Sequence, residues 1–411
     1  MRNRLFDRLQ QVCFPDAVDF AFVSNEKPDS SLLDKARGAY TSRLKRCSSA
    51  WPAGSLDASS PHPVLITQRH HDELDELHRA LNLAIEDIIE RWWTDEQAQL
   101  PQRMPLEPGE EDLLRILGGL FKLFDNKLPL HLVKGEERGI DIFMFIELAK
   151  KRLGIEPRLI SPEALRIIPD PSKDAGFKLC CLAQAGAVDT ITAESGELVE
   201  EVHQIGLELH QREINALDPE IKRQISVRCF NDMRTILLAH DKRMLGLVRE
   251  ELETLVSRSI ITSRQAECLD RGITPTILPG SAALDQFITA CIASEILRKD
   301  YILKPIRGGK GAGILFGDEV PYSTWLALLE QMRCPKLAAG KTLFVVQRKI
   351  DQPKYDVLLS EGNSQRCHMV GTYHAINGEY LGLGTWRCSP GRLCAVSDGA
   401  TWICSVKQST Q

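Results

Sequence analysis

Residues 301–317, YILKPIRGGKGAGILFG, combine two things a polyphosphate site requires: fixed positive charge, and backbone that can come close to oxygen. Lys304, Arg307 and Lys310 supply the charge. Gly308, Gly309, Gly311 and Gly313 carry no Cβ, so amide groups between them can turn toward an anion. Apolar β-type residues stand on both sides of the glycines, so the spacing predicts a flexible hairpin joining two strands. It is neither G-x-x-x-x-G-K-[ST] nor the strand-to-helix dinucleotide fingerprint. An ordinary glycine-rich hairpin would read similarly, and the three basic residues favour phosphate.

Further along, LFVVQRKI reads as a strand ending in Gln347, Arg348 and Lys349, whose hydrogen-bonding groups could meet an adenine edge. The next β-rich stretch carries Tyr373, His374, Asn377, Trp386, Arg387 and Arg392. Arg387 is the residue chosen to hold a transferring phosphate or a substrate carboxylate, because its planar fork grips two oxygens. Glu86, Asp87 and Glu90 lie within one helical turn and could bind a guanidinium or move a proton, although a solvated charged face is the blander reading. His70, His71 and His78 lack a third ligand at metal spacing and read as surface. His203, Glu208 and His210 share helical spacing but need a distant carboxylate to make a metal site.

These features in this order resemble the circularly permuted ATP-grasp ligases, with glutathionylspermidine synthase as the familiar relative, over about residues 228 to 404. The resemblance rests on the lysine in NDMRTILLAHDKRML, on ILKP at 302–305 with its glycine loop, on VVQ at 345–347 and on GLGTWR at 382–387. It implies that Lys242 and Lys304 are nucleotide ligands and that Gly308, Gly309, Lys310, Gly311 and Gly313 close over the phosphates. Gln347 would sit at the hinge around adenine, and Arg387 would face the reacting acyl phosphate. It also implies ATP and magnesium as cofactors. Relatives would place an Arg-x-Asp and then a Glu-x-Asn ahead of the nucleotide half to hold the metal. Here Ile116 and Leu117 run through Gly118, Gly119 and Leu120 directly into Phe121 and Lys122, and neither motif is present. Glu213 with Asn215 and Glu361 with Asn363 have the second spacing but read as surface, so the metal ligands stay unassigned.

A second resemblance comes from the carboxylate cluster. E-D-x-x-E from Glu86 to Glu90 is similar to the D-D-x-x-E motif of fungal arginine-containing cyclodipeptide synthases. That implies arginine delivered on tRNA, with Asp87 and Glu90 recognising or deprotonating it, and Glu86 standing one methylene longer than the family's Asp. Both resemblances end in an amide bond between amino-acid-like substrates. The reading placed first is the tRNA-dependent diketopiperazine synthase, for which no cofactor is assigned. The alternatives are an ATP- and magnesium-dependent carboxylate–amine ligase and an inactive nucleotide-binding relative.

The elements that must position these residues follow from periodicity. Leu74, Leu77, Leu81, Ile85, Ile88 and Trp92 recur at three- and four-residue intervals, predicting a helix from Thr67 to Trp93 with one buried face. A second helix is expected over 110–120, then strand, turn, helix and strand through PLHLVKGEERGIDIFMFIELAKKRLGIEPRLI, which argues for parallel pairing. Residues 177–217 read as two short strands and a long helix, 219–266 as mostly helical, and the last third as β. The Ser-, Ala- and Pro-rich passage from Cys47 to Pro63 reads as a linker. The expected class is α/β in α+β layers: an appendage and linker (1–63), a helical and α/β substrate region (64–227) and an ATP-grasp-like domain (228–411).

Composition narrows the partners. With 51 Lys and Arg against 56 Asp and Glu, the net charge is -5, which gives no global attraction to DNA or anionic membranes. No apolar run approaches the ~18 residues a span needs. The 12 cysteines are scattered without a C-x-x-C pair, so zinc ribbons and thioredoxin chemistry are not expected, and a reduced cytoplasmic protein is.

Overall fold

The computed structural model describes residues 9–13, 21–22, 30–47, 58–117, 127–136, 141–173, 176–187, 189–230, 232–338, 340–359, 364–376 and 378–407. Two compact units emerge, one from Met1–Arg103, Arg243–Pro335 and Thr342–Gln411, the other from Met104–Lys242 and Lys336–Lys341. The first unit opens with β1 (Gln10–Cys13), β2 (Ala21–Phe22), α1 (Ser30–Cys47), β3 (Ser59–Ile66), α2 (Gln68–Glu90) and α3 (Leu100–Arg103). The second holds α4 (Pro108–Leu117), β4 (Leu130–Lys134), α5 (Asp141–Leu153), β5 (Arg158–Ile160), β6 (Leu165–Pro169), β7 (Phe177–Leu182), β8 (Thr190–Thr192), β9 (Leu198–Glu201), β10 (Gln204–Glu208), α6 (Gln211–Ala216) and α7 (Pro219–Ser226). The chain then returns to the first unit with α8 (Arg243–Glu250), α9 (Leu252–Ser257), α10 (Ser263–Gly272), β11 (Thr276–Ile277), α11 (Ala282–Ala293), β12 (Tyr301–Pro305), β13 (Leu315–Phe316) and α12 (Tyr322–Gln331). It ends with β14 (Phe344–Arg348), β15 (Tyr355–Leu358), β16 (Ser364–Ile376), β17 (Glu379–Ser389) and β18 (Thr401–Lys407).

The class is mixed α/β, as expected. In the second unit β4, α5 and β5 form the predicted strand–helix–strand unit: β5 and β10 flank β4, both parallel to it. The long helix expected after Gly196 does not form. Leu198–Glu201 pairs antiparallel with β7, and Gln204–Glu208 pairs with β4, leaving only Gln211–Ala216 helical. Val199 and Ile205 are fully buried in these strands, so sheet pairing overrides a helical spacing that two short amphipathic strands can mimic.

In the first unit the order β15-β16-β17-β18-β3-β1-β2 joins the C-terminal strands to β1–β3. The expected linker therefore ends in a buried strand. Ser59 and Ser60 pair with Trp402 and Ile403 of β18, and Val64 to Ile66 pair with Ser405 to Lys407. Pro61 and Pro63 fall where the register between these two runs slips, so neither proline has to supply a ladder donor. Among the described residues no helix is long and apolar enough to cross a membrane, and the eleven cysteines described there are free thiols.

Candidate functional site

The four-stranded sheet β11-β14-β12-β13 places the nucleotide candidates by alternation alone. Leu303, Phe344 and Val346 point to one face and pack on Leu284, Phe287, Ile288 and Cys291 of α11 and on Trp325 and Leu329 of α12. Their neighbours Lys304, Val345 and Gln347 must then point to the opposite face. Ile302 pairs with Gln347 and Lys304 with Val345, which makes Lys304 and Gln347 diagonal neighbours on that face. Gln347 is buried, and its Nε2 donates to Thr276 Oγ1 at 2.8 Å. α8 packs over the β11 end of the face, where a side chain at Gly246 would collide with Leu278. Lys304 is half-buried, and desolvation pulls its ammonium below the usual lysine range.

The glycine run forms the predicted hairpin between β12 and β13. Gly308 and Gly311 take φ values of +86° and +79°, which side chains rarely adopt. Nothing lies within 4 Å of where Cβ atoms on Gly308 or Gly309 would stand, so this arc is open to a ligand. Gly311 instead faces Leu393, 3.1 Å from its Cβ position.

The segment after β17 latches the hairpin at a second point. Arg392 Nη1 and Nη2 each donate to one Asp318 oxygen at 2.8 Å, Nη1 also reaches Glu319 at 2.9 Å, and the guanidinium lies 5.0 Å over the Phe316 ring. The Arg392 bonds hold the Asp318 carboxyl at about 2, with help from Lys349. Asp318, Leu393 and Thr276 escaped sequence reasoning; Asp318 stands one residue past the last glycine of the run, the only local signal it gives. Arg392→Ala should raise the KM for ATP about fivefold, roughly 1 kcal/mol, with an unchanged melting temperature. Steady-state kinetics beside a thermal melt would show it.

Arg387 sits on β17 between Val370 and Trp402. Cys388 and Trp386 belong to the apolar cluster on one side of this sheet, so Arg387 faces the other. Its side chain is half-buried, and its Nε is buried without a hydrogen-bond partner. Cys394, next to Leu393, feels its charge. The 392–394 segment thus bridges Arg387 and the glycine hairpin.

These residues suit a polyphosphate: a glycine arc with space beside Gly308 and Gly309, a half-buried lysine and a guanidinium with an unused donor. Among the described residues no set of oxygen ligands matches magnesium. Asp318 is committed to Arg392 and Lys349, and Glu213 caps α6 by accepting from the backbone of His210 and Glu136. Glu361 and Asn363 lie outside the described residues. Lys242 closes the second unit immediately before α8 and has interactions of its own.

The structure separates Asp87 from Glu86 and Glu90. α2 is rotated so that Ala80, Ala84, Asp87 and Ile88 are its buried positions, while Leu74, Leu77, Leu81 and Ile85 are half-buried and Glu86 and Glu90 face solvent. Asp87 accepts from Arg91 Nε at 2.6 Å and from Arg258 at 3.1 Å, and Arg91 also bonds Asp95 and Glu251. Burial alone would lower the Arg91 guanidinium, but its three carboxylate partners raise it above the ordinary arginine range. This network ties α2 to the junction of α8 and α9, and Asp87 is consumed by it. Asp87→Asn should therefore lower stability by about 2–3 kcal/mol, read as a shifted urea midpoint, and leave turnover per folded molecule unchanged.

The histidines separate in the same way. His70 closes the start of α2 through a 3.1 Å hydrogen bond with Thr67, while His71 and His78 stack edge-on against Tyr380 and Tyr373. His203 lies in the bend before β10 and His210 at the start of α6, so with Glu208 they do not share a helix face.

Three comparisons bear on this arrangement. A family model described as the AnkG N-terminal domain matches residues 77–118 and 115–238. The ATP-grasp enzyme ankG of Aspergillus thermomutatus is 32% identical over 471 aligned positions, spanning 95% of this chain and 98% of that protein. Ninety-five per cent of 411 residues fills about 390 of those 471 positions, so the relative carries about 80 residues that this chain lacks. The break in the family match falls at the end of α4, where the expected Arg-x-Asp and Glu-x-Asn segment is missing from the sequence. The crystal structure of D-alanyl-alanine synthetase A from Vibrio cholerae aligns with 70% of this chain and 77% of its own at 12% identity and a TM-score of 0.34, too loose to carry an argument. None of the three matches is to a cyclodipeptide synthase.

Proposed function

Because this chain belongs to the family of the ATP-grasp enzyme ankG, we propose that it is an ATP-dependent ligase joining a carboxylate to an amine. The observation that carries this reading is Arg387, half-buried with an unpartnered Nε beside the segment that latches the glycine hairpin. Bound ATP would supply the phosphoryl group that turns a carboxylate into an acyl phosphate open to amine attack. Lys304 lies half-buried on the sheet face opposite the α11 and α12 core, where its ammonium would meet phosphate oxygens. The empty space at the Cβ positions of Gly308 and Gly309 leaves room for close approach, and Lys310 adds charge at the tip. Thr276 orients the Gln347 amide toward a base edge, and Arg387 offers a fixed fork to charge developing at the reacting centre. Glu86 and Glu90, exposed one turn apart, keep arginine first among the amines to try. Free thiols suit a cytoplasmic setting.

A second reading is favoured by the break after Leu117: a chain that retains the nucleotide residues without the metal segment binds ATP and does not turn it over. One experiment separates the two. Purified protein is given ATP, magnesium and pairs of amino acids including arginine, with and without tRNA and aminoacyl-tRNA synthetases, and ADP and products are followed by mass spectrometry. ADP released only when acid and amine are both present supports the ligase. Thermal stabilisation by ATP without ADP supports the binding protein, and a product that disappears with ribonuclease would restore an aminoacyl-tRNA donor and sink both.

A further inference from the structure

Two sheets of the second unit meet at three side chains of metal-ligating type. Cys181 on β7 stands directly opposite Glu200 on β9 across their antiparallel pairing, and His131 comes from β4, the central strand of the parallel sheet. One donor atom from each lies within 4.8 Å of the other two, and all three residues are buried. His131 Nε2 is 3.5 Å from Glu200 Oε1, and Cys181 Sγ is 3.8 Å from that same oxygen. The other carboxylate oxygen is taken by Arg158. Glu200 is thus divided, one oxygen fixed by a guanidinium and the other turned toward sulfur and imidazole.

His131 supplies the independent sign that something belongs there. It is fully buried, and among the described residues neither ring nitrogen makes a hydrogen bond of full geometry, a loose approach to the Gln204 backbone apart. An unpaired buried polar group is costly, and proteins retain few of them.

We propose that His131, Cys181 and Glu200 bind a divalent transition-metal ion, zinc by the chemistry of the donors, with Arg158 orienting the carboxylate from behind. Imidazole, thiolate and one carboxylate oxygen form a zinc ligand set, whereas magnesium asks for oxygen throughout. Cys181 coordinates as the thiolate, and its proton leaves to solvent. The guanidinium behind Glu200 resembles the outer hydrogen bonds that orient ligands at metal centres. Three protein donors leave a fourth position for water or another group. The site stands apart from the proposed ligase reaction in its residues: Lys304, Gln347 and Arg387 belong to the other unit.

The test is cobalt titration of the full chain after removal of bound metal with a chelator. About one equivalent should bind with strong thiolate-to-cobalt absorption in the near ultraviolet. Cys181→Ala, conservative in an apolar strand, should lose that absorption, His131→Asn should weaken cobalt binding at least about tenfold, and Cys334→Ala, at an exposed cysteine, should change neither. Absence of stoichiometric binding by the wild-type chain overturns the proposal, as does absorption that survives in Cys181→Ala. If Cys181→Ala does not fold, as judged by circular dichroism, His131→Asn decides: wild-type affinity there overturns the site equally.

Discussion

Lys304→Met should weaken ATP binding about a hundredfold, roughly 2.7 kcal/mol, without lowering the melting temperature of the free protein. Lys304 lies diagonally from Gln347 on the face opposite the α11 and α12 core, half-buried and with no partner to compensate the desolvation that lowers its pKa. Methionine keeps the apolar stem and removes the charge, so the fold loses nothing while the phosphates lose an ammonium. The depressed pKa adds a pH signature. As pH rises through it, Lys304 sheds its proton and ATP affinity falls, earlier than an ordinary lysine would produce; in Lys304→Met that alkaline decline should vanish. ATP-dependent thermal shift across pH measures both effects. Equal stabilisation of variant and wild type by ATP would remove Lys304 from the site.

What could be read in advance follows the range of the interactions. The β12–β13 hairpin was legible because its information is local: strand formers on either side of glycines that take positive φ. The alternation of Lys304 and Gln347 against Leu303 and Val346 is equally local. β3 was illegible because its composition is that of a linker and its burial comes from pairing with β18, more than 330 residues along the chain. The ion pairing of Asp87 was hidden for a related reason. Its carboxylate neighbours are visible at helical spacing, but Arg258, which helps neutralise it, is 171 residues away. His131, Cys181 and Glu200 show no spacing at all, since three strands of two sheets deliver them one at a time.

The break after Leu117 makes the chemistry asymmetric. Lys304, the glycine run and Arg387, the residues proposed to hold phosphate, lie in one unit, while the segment expected to hold magnesium would interrupt the other. Binding and turnover can therefore be lost independently, and substitutions should be chosen to report on each separately.

Arg387→Met is the substitution that isolates turnover. If Arg387 grips the reacting phosphoryl group, the variant should lose about 100- to 1,000-fold in kcat, the cost of removing one preorganised donor, while ATP affinity stays near wild type. Stability should move the other way. The stem runs between Val370 and Trp402, which methionine can still fill, and the variant discards a buried Nε that no described residue satisfies. A melting temperature equal to or above wild type, beside a collapsed kcat, would mark a group kept for chemistry at the expense of the fold. Arg387→Lys should recover little, because a point charge does not reproduce a two-pronged grip. A variant that melts earlier and retains kcat would assign Arg387 to the sheet and leave the reacting phosphate without its fork.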